Sequence, residues 1–341
     1  SDFISVIPVR QTIKVNLRSF DYLISSAPLN LVSNNKIPII QTIHDLIPME
    51  YDPNVLALRS FYKKLKFCRN TKNVFISKIT KEKFDNIFQS SQNKNNSVIV
   101  QPPSLFFDEY KNLDKYKKML KKIVLKPKIR KGTYSKEQIK ILGVNKIRKK
   151  VKPKKLTEFN YFLFNASIDM RKNVLLVIES FINSDAQKKG KLLVITGKLK
   201  DDEYSEEIKT LITKNKGILT TGFVNESVKA SLFLYSLCLL SPTFIEGFGI
   251  PVLDACCLGL KCFASDCNSH REIQELYDFK DYLEIYPPKS DLKWTNIFND
   301  ESFLNISEED KIVERRINRY QKFNNLIKDE FKYKLSNLIN K

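Results

Sequence analysis

The sequence predicts an α/β protein built on parallel sheets, and three observations support this fold class. Short β-rich runs alternate with helical patterns through most of the chain, and strand–helix–strand repeats at this spacing fold as right-handed crossovers between parallel strands. Seven of the nine glycines fall between residues 190 and 259, as expected where the backbone approaches a ligand closely. The 341 residues suffice for two domains of ordinary size.

Residues 1–107 are interpreted as the first, partial α/β domain. Its predicted strands are the runs FDYLISS, IPIIQTI, KNVFIS and SVIVQ. Helical patterns separate these strands at about 54–69 and 78–88, and Ser77 or Thr80 is placed to cap the second helix.

Residues 159–300 are interpreted as the second α/β domain, in which the strand signals are stronger. Its strand candidates are YFLFNA, KLLVITG, GILTTG, LCLLS, KCFAS and YLEIY. The remaining segment, 301–341, predicts one or two charged helices over 307–339.

A basic insert, residues 108–158, separates the two domains. From Lys111 to Lys155 there are 19 Lys and Arg against two acids, a net charge of +17 out of +20 for the chain. Its proline and glycine residues predict a long connection with one amphipathic helix near 113–124. Two interpretations remain open: a solvated linker, or docking on an anionic membrane surface through residues 111–155. Nucleic acid is not expected as a partner, because no aromatic stacking platform interleaves the charges.

Several protein classes are excluded by composition. No run of about 18 apolar residues or secretory leader is present, which predicts a cytoplasmic protein that is at most peripheral on the inner face of a membrane. The six cysteines form no C-x-x-C pair, so we expect free, buried thiols and no zinc site. The absence of a G-x-G-x-x-G motif argues against a dinucleotide dehydrogenase.

The segment SPTFIEGFGIPVLDACCLG carries the most ligand-binding features. A strand ends at its start, and a helix begins near Ile250 with Pro251 in the first turn. Ligands of open α/β sheets bind beyond the carboxyl ends of the strands, so this helix start would face an anion such as a diphosphate. Glu246 and Asp254 could each accept hydrogen bonds from a hydroxyl pair, one on a hexose and one on a ribose. Two solvated acids are the alternative.

Two further segments follow predicted strands. In FNASIDMRKN, Arg171 and Lys172 could neutralise a diphosphate, unless they are ordinary surface cations at a helix start. In QTIHDLIP, His44 is one of only two histidines, and a structural role is the alternative to a functional one. His270 is interpreted as a capping or surface residue. Asp201–Glu203 opens a helix and is not a D-x-D metal motif.

These segments resemble the family 4 retaining glycosyltransferases, whose E-x7-E motif is close to P-S-x-x-E-G-F-G-L-P-x-L-E-A-x-A-x-G. The matching residues are Pro242, Glu246, Gly247, Phe248, Gly249, Pro251, Leu253, Ala255 and Gly259, and the likeness continues through Lys261–Ser265 to Glu272. The segment ending in RKN resembles the family's phosphate-binding turn, and TIHDLIP is similar to a segment of a mannosyltransferase-like branch. The sequence departs from the family at Asp254, which is usually Glu, and at Ala166, which is usually Gly.

The resemblance implies a GT-B fold, in which two Rossmann-like domains with parallel sheets face a cleft. It also implies transfer of a hexose from a nucleoside-diphosphate sugar to a glycan or lipid-linked acceptor, with retention of configuration and without a metal or other cofactor. His44 and Glu246 are then the catalytic candidates. The donor-binding candidates are Arg171, Lys172, Gly247, Phe248, Gly249, Val252 and Asp254.

Alternatives to this function remain open. A nucleotide-sugar epimerase of the same architecture, or an inactive sugar-nucleotide-binding scaffold docked through its basic insert, would share the same motifs. The family's first strand and Gly-rich loop are not found before residue 107, so the N-terminal domain is expected to be incomplete.

Overall fold

The computed structural model describes residues 12–17, 19–33, 37–51, 54–89, 96–107, 113–122, 124–125, 154–303, 306 and 308–340. Two parallel sheets dominate these residues, one of four strands and one of six, as the sequence predicts. The strands are β1 (Ile13–Val15), β2 (Leu23–Ser25), β3 (Leu31–Ser33), β4 (Ile39–Ile43), β5 (Lys72–Phe75), β6 (Asn96–Val98), β7 (Val124–Leu125), β8 (Lys154–Lys155), β9 (Tyr161–Asn165), β10 (Leu192–Thr196), β11 (Ile218–Gly222), β12 (Leu239–Ser241), β13 (Cys262–Ser265) and β14 (Leu283–Tyr286).

The α-helices lie between these strands and after them. They are α1 (Ile47–Glu50), α2 (Val55–Cys68), α3 (Lys78–Phe88), α4 (Leu113–Lys122), α5 (Val174–Ile182), α6 (Glu203–Lys214), α7 (Glu226–Leu234), α8 (Ile250–Leu258), α9 (Asn268–Glu275), α10 (Asp291–Asn299) and α11 (Glu309–Asn340). Short 3₁₀ segments occupy Met170–Lys172, Leu276–Asp281 and Glu301–Phe303. In the described part of the chain, no helix is both long and apolar enough to cross a lipid bilayer.

The six-stranded sheet has the order β11-β10-β9-β12-β13-β14, with every pair parallel. Its first strand in the chain, β9, lies in the middle and is buried on both faces. From β9 the chain builds outward through β10 and β11, and then returns to place β12 on the other side of β9. The strand order therefore reverses between β9 and β12, and such a switch point opens a crevice beyond the carboxyl ends of the two strands.

The four-stranded sheet, β2-β4-β5-β6, is the centre of the N-terminal domain, and it is also fully parallel. Capping residues define its helices. Asn54 accepts hydrogen bonds from the backbone N–H groups of the first turn of α2, and Ser77 caps α3, as one of the two predicted caps.

The long helix α11 packs against both domains. Its first half contributes Val313, Ile317 and Tyr320 to the large core around the six-stranded sheet. Its last turns place Leu338 in the small core formed by Ile40, Val74 and Ile99 of the N-terminal domain. The Nζ atom of Lys72 also donates to the backbone carbonyl of Leu338 at 3.0 Å.

The observed elements differ from the predicted ones mainly in their limits. Each predicted strand is present but shorter, and of the one or two helices predicted over 307–339 the structure has one, Glu309–Asn340. The pair β1–β3 was not predicted, because three-residue strands carry too little alternation to be recognised. Within the basic insert, the predicted helix is α4, and residues 126–153 lie outside the described residues.

Arg316 of α11 contacts the backbone where α7 ends and the chain leads into β12. Its side chain is 8% exposed, and its Nη1 atom donates to the carbonyls of Leu234 and Ser236 at 2.6 and 3.0 Å. Burial lowers the pKa of Arg316 to about 10, but the group stays protonated at neutral pH. It supplies donors to two buried backbone carbonyls, at the last residue of α7 and in the connection from α7 to β12.

We expect Arg316→Met to lower the free energy of unfolding in urea by about 1–3 kcal/mol, because two buried carbonyls lose their donor. Arg315→Met is the matched control, since the neighbouring Arg315 is exposed and should change stability by less than about 0.5 kcal/mol. Equal effects of the two substitutions would contradict a supporting role for Arg316.

Candidate functional site

The candidate site lies at the switch point, where the segments after β9 and β12 meet. Residues 166–173 follow β9 and contain Arg171 and Lys172, while residues 242–249 follow β12 and contain Glu246. The pairing of β9 with β12 places these two segments side by side although they are more than 70 residues apart. The sequence-predicted candidates from the two segments therefore come together.

Glu246 is held by both cations. Lys172 Nζ lies 2.5 and 2.6 Å from the two carboxylate oxygens of Glu246, and Arg171 Nη1 lies 3.2 Å from Oε2. Arg171 also donates to the carbonyl of Ile245 at 3.0 Å and lies 3.6 Å from the carboxylate of Asp169. Lys172 is only 7% exposed, so these are partly desolvated pairs rather than surface contacts. The alternative of ordinary surface cations does not fit this geometry.

The loop that carries Glu246 is fixed by glycines at two positions. Gly249 has φ 101° and directly precedes α8, in the left-handed region that favours glycine. At Gly247, an added Cβ would lie 2.6 Å from Asp45 Cβ and 2.9 Å from the carbonyl oxygen of His44. Only a glycine at position 247 lets the loop touch the N-terminal domain this closely.

His44 belongs to the N-terminal domain and lies beside this loop. Its side chain is exposed, and its Nε2 atom lies 2.8 Å from the carbonyl oxygen of Ser26. The backbone of His44 adjoins Gly247. The predicted catalytic histidine therefore touches the Glu246 loop through its backbone, from the opposite domain, while its side chain contacts Ser26.

The N-terminal end of α3 contacts the same loop. The sequence did not predict this contact between the two domains. Ser77 Oγ donates to the carbonyl of Gly247 at 3.0 Å while capping its own helix. Glu272 accepts hydrogen bonds from the backbone N–H groups of Lys78 at 2.8 Å and Ile79 at 3.4 Å. Burial raises the pKa of Glu272 despite these donors. The cap at Ser77 was visible in the sequence, but its partner in the other domain was not.

A cavity of about 270 Å³ lies beside Glu246 between the two domains. Loop residues Phe244–Glu246 form one wall, Asp266–Ser269 form another, and Ile79 and Lys83 of α3 form the third. Glu246, which both cations contact, lines this cavity, so a small ligand bound there would lie beside its carboxylate.

Phe248 and Val252 lie in the core rather than in the cleft. They are 2% and 0% exposed. Their side chains therefore support the start of α8 from beneath, and only their backbone atoms could contact a donor.

Asp254 is completely buried and already has partners. The backbone N–H and Oγ of Ser104 donate to its two carboxylate oxygens at 2.6 and 2.7 Å, and the N–H of Leu105 donates at 3.3 Å. Burial raises the pKa of Asp254 to about 6, against the lowering effect of Lys229 and of these donors. The ribose contact predicted for this residue needs an open carboxylate, which the structure does not have.

The interpretation of His270 as a surface or capping residue is wrong. Its ring is fully buried beneath Gly249, with Nδ1 2.8 Å from the carbonyl oxygen of Ser265. Burial lowers the pKa of His270, but the hydrogen bond and the charge of Cys267 outweigh burial and raise it. His270 instead forms the floor of the turn that leads into α8. Its sequence context did not indicate burial, because the partner of its ring is a backbone carbonyl, which any residue can supply.

Five of the six cysteines are buried, which confirms the expectation of free, buried thiols. They are Cys68, Cys238, Cys256, Cys257 and Cys262, and burial raises the pKa of each. The remaining one, Cys267, borders the cavity and is partly exposed. Burial acts to raise the pKa of Cys267, but the hydrogen bond and charge of His270 lower it.

Solved structures of similar fold are glycosyltransferases and related synthases. A structure of Anabaena Alr3699/HepE in complex with UDP-glucose aligns with a TM-score of 0.56 at 13% identity, over 89% of this chain and 72% of that one. WaaG, a glycosyltransferase of lipopolysaccharide biosynthesis, aligns at 0.53 and 15% identity, over 85% and 73%. Sucrose-phosphate synthase from Thermosynechococcus elongatus aligns at 0.52 and 12% identity, over 89% and 70%. These likenesses confirm the GT-B fold.

A search of curated protein sequences finds no match to this chain. A family model does match: residues 145–283 fit the model described as Glycosyl transferases group 1. The matched residues include both segments of the switch point and the helix that follows each. Residues 145–283 are therefore a glycosyl transferases group 1 domain, within a chain that has the GT-B fold.

Proposed function

We propose that this chain transfers a hexose from a nucleoside-diphosphate sugar to a hydroxyl of a glycan or lipid-linked glycan, with retention of anomeric configuration. The observation that carries the proposal is the cluster of Arg171, Lys172 and Glu246 at the switch point of a group 1 domain. The resemblance of the TIHDLIP segment extends the proposal to the mannosyltransferase-like branch of family 4. The matched family model describes transferases, so it does not favour the epimerase alternative.

The cation pair explains how the leaving group would be stabilised. As the bond between the anomeric carbon and the diphosphate oxygen breaks, negative charge grows on the diphosphate. The groups that can stabilise this charge are Arg171, Lys172 and the first turn of α8, which are preorganised donors. Such electrostatic stabilisation is usually the largest single contribution to lowering the barrier of a reaction of this kind. The acceptor oxygen forms the new bond to the same carbon, and its proton passes to an oxygen of the leaving diphosphate.

The pairing of Glu246 with the cations suggests an exchange of partners on binding. Without a donor, the two positive charges of Arg171 and Lys172 are balanced by Glu246 and Asp169. A diphosphate that takes over both cations leaves the Glu246 carboxylate free to accept hydroxyl groups of the hexose. His44 approaches the same sugar from the opposite domain. No bound metal takes part in this proposal, and activity that persists in excess EDTA would support it.

The solved relatives suggest which donors to test first. Structures of Anabaena Alr3699/HepE contain UDP-glucose, or UDP and glucose, and a structure of an S. aureus TarM mutant contains UDP and alpha-GlcNAc-glycerol. UDP-glucose and UDP-GlcNAc are therefore tested first, and GDP-mannose is added because TIHDLIP resembles the mannosyltransferase-like branch. Thermal stabilisation of the protein is the first readout. A ligand at 100 times its dissociation constant adds about 2.7 kcal/mol of stability.

Replacement of both Arg171 and Lys172 by Ala should weaken binding of the stabilising nucleotide by tenfold or more, on the order of 1.4 kcal/mol. Isothermal titration calorimetry measures this directly. Lys188 and Lys189, which are exposed and distant from the switch point, provide the matched double-alanine control and should leave the affinity unchanged. Unchanged affinity in the Arg171/Lys172 variant would remove the cations from the donor site.

Glu246→Gln should depress sugar transfer far more than it weakens binding of the bare nucleotide, because its proposed partner is the hexose. Release of nucleotide from a labelled donor gives the rate, and calorimetry gives the affinity. The substitution also removes one charge next to Lys172, so binding of the bare diphosphate could tighten. A loss of nucleotide affinity as large as the loss of rate would assign Glu246 to the nucleotide instead. No transfer or donor hydrolysis by the parent chain would favour an inactive scaffold.

We also propose that the chain docks on an anionic membrane surface through the basic insert, residues 111–155. The net charge of +17 in this segment supports the proposal, since each Lys or Arg near such a surface contributes about 1 kcal/mol. A second feature lies on α2, whose exposed face combines Val55 and Leu56, 57% and 67% exposed, with three cations. The cations are Arg59, Lys63 and Lys66. No acidic residue interrupts this face, because α2 contains none.

Co-sedimentation with neutral and anionic vesicles should show binding to the anionic vesicles alone, weakened as salt screens the charges. Replacing four insert cations by Gln should reduce this binding severalfold; these are Lys146, Arg148, Lys149 and Lys150. The matched control replaces four exposed lysines elsewhere, namely Lys188, Lys189, Lys214 and Lys332. Equal binding to both vesicle types, or equal loss in both variants, would leave the insert as a solvated linker.

A further inference from the structure

The chain passes between the two domains twice in the described residues, and both passages meet at Asp254. In the first passage, Ile99 belongs to the small N-terminal core, whereas Leu105 and Phe107 belong to the large core of the other domain. We name residues 99–105 the crossing segment. The second passage is α11, which runs from the large core to Leu338 in the N-terminal core.

The crossing segment is fastened to Asp254 by three donors. The N–H and Oγ of Ser104 bind the two carboxylate oxygens at 2.6 and 2.7 Å, and the N–H of Leu105 adds a contact at 3.3 Å. Lys229 Nζ donates to Ser104 Oγ at 2.8 Å, so the hydroxyl lies between a cation and the carboxylate. All of these partners belong to the protein itself.

The helix α11 joins the same centre through Tyr320. The Tyr320 hydroxyl lies 3.4 Å from Asp254 Oδ1 and donates to the carbonyl of Leu105 at 2.9 Å. Its ring packs edge-on against Phe107 at 5.3 Å between centroids. Asp254 therefore contacts both connections between the domains, and the side chains of Asp254, Leu105 and Tyr320 are buried while Ser104 is partly exposed.

We infer that Asp254 is a positioning residue that fastens the interdomain connections to α8, and that its carboxylate does not contact the ribose of the donor. Asp254 is the fifth residue of α8, about 6 Å along the helix axis from its start. That start follows the Glu246 loop directly. The orientation of the N-terminal domain, which brings His44 and Ser77 to this loop, is thereby tied to the helix that faces the diphosphate.

The two acids of the motif, Glu246 and Asp254, then have different functions. Glu246 remains in the cleft beside the cations, whereas Asp254 acts through the crossing segment. Side-chain length agrees with this division, because the short Asp carboxylate reaches the backbone N–H groups of Ser104 and Leu105 from within the helix.

The first test compares nucleotides with and without ribose hydroxyls, and this arm rests on the proposed function. UDP and GDP are titrated into the parent chain and Asp254→Asn, each beside its 2′-deoxy and 3′-deoxy counterpart. We expect the ratio of ribose to deoxyribose affinity to be the same in both proteins within twofold. A ratio of tenfold or more in the parent that falls to about one in the variant would assign Asp254 to the ribose and overturn the inference.

The second test does not depend on nucleotide binding. Hydrogen exchange of backbone amides is followed in the parent chain, Asp254→Asn, Ser104→Ala and the double variant. We expect exchange to accelerate tenfold or more in residues 102–107 and at the start of α8 in each single variant. The double variant should show little further effect, because both substitutions act on the same hydrogen bond, from Ser104 Oγ to the Asp254 carboxylate.

Controls distinguish positioning from general destabilisation. Asp266→Asn removes an exposed carboxylate that is paired bidentately with Arg271, and it should leave exchange at 102–107 unchanged. A purely structural role for Asp254 would accelerate exchange throughout the six-stranded sheet, which would also overturn the inference. If Asp254→Asn does not fold, Ser104→Ala and Tyr320→Phe carry the same test. Unchanged exchange at 102–107 in both of these would contradict it.

The two tests fail independently of each other. If neither UDP nor GDP nor a sugar donor binds, the proposed function fails while the exchange experiment still decides the role of Asp254. If nucleotides bind but exchange at 102–107 does not respond, the donor site stands and the positioning role is lost.

Discussion

The contact between Glu246 and the two cations depends on a single topological fact, the parallel pairing of β9 with β12. Because carboxyl ends of parallel strands meet at one edge of the sheet, residues after β9 and β12 must lie together. Lys172 is desolvated by this arrangement, and a buried ammonium group without a partner would be strongly destabilising. The carboxylate of Glu246 supplies that partner, so the loop after β12 is held in place by the same charges that would recognise a diphosphate.

Much of the fold was predictable, because its signals are local. Short apolar runs rich in β-branched and aromatic residues, such as YFLFN and LLVIT, favour strands buried on both faces. Asn54 and Ser77 are strong helix caps. The proximity of Arg171, Lys172 and Glu246 also followed from sequence, since each was placed at the carboxyl end of a strand. Strand direction alone places these residues at one edge of the sheet, whereas the adjacency of β9 and β12, which brings them into contact, came from the structure.

The rest depends on contacts between residues far apart in the chain. Ser104 lies 150 residues before Asp254 and belongs to no recognisable motif, so nothing local indicates that it satisfies this carboxylate. His270 has a surface-like sequence context, yet its ring is buried, and a backbone carbonyl is its hydrogen-bond partner. Phe248 and Val252 belong to the motif but contribute packing. A motif therefore identifies the region of a site more reliably than it assigns each side chain a ligand.

The placement of Leu338 has a consequence for how the chain folds during synthesis. The N-terminal core around Ile40, Val74 and Ile99 is completed by a residue more than 230 positions later. The ribosome releases the N-terminal strands long before Leu338 is made. Until then, the face of the sheet that carries Ile40, Val74 and Ile99 lacks the residue that covers it in the folded protein. Contacts of such sequence separation slow folding, because the intervening chain must be ordered before they form. Of the two domains that the structure describes, the N-terminal one is thus synthesised before the other but completed after it.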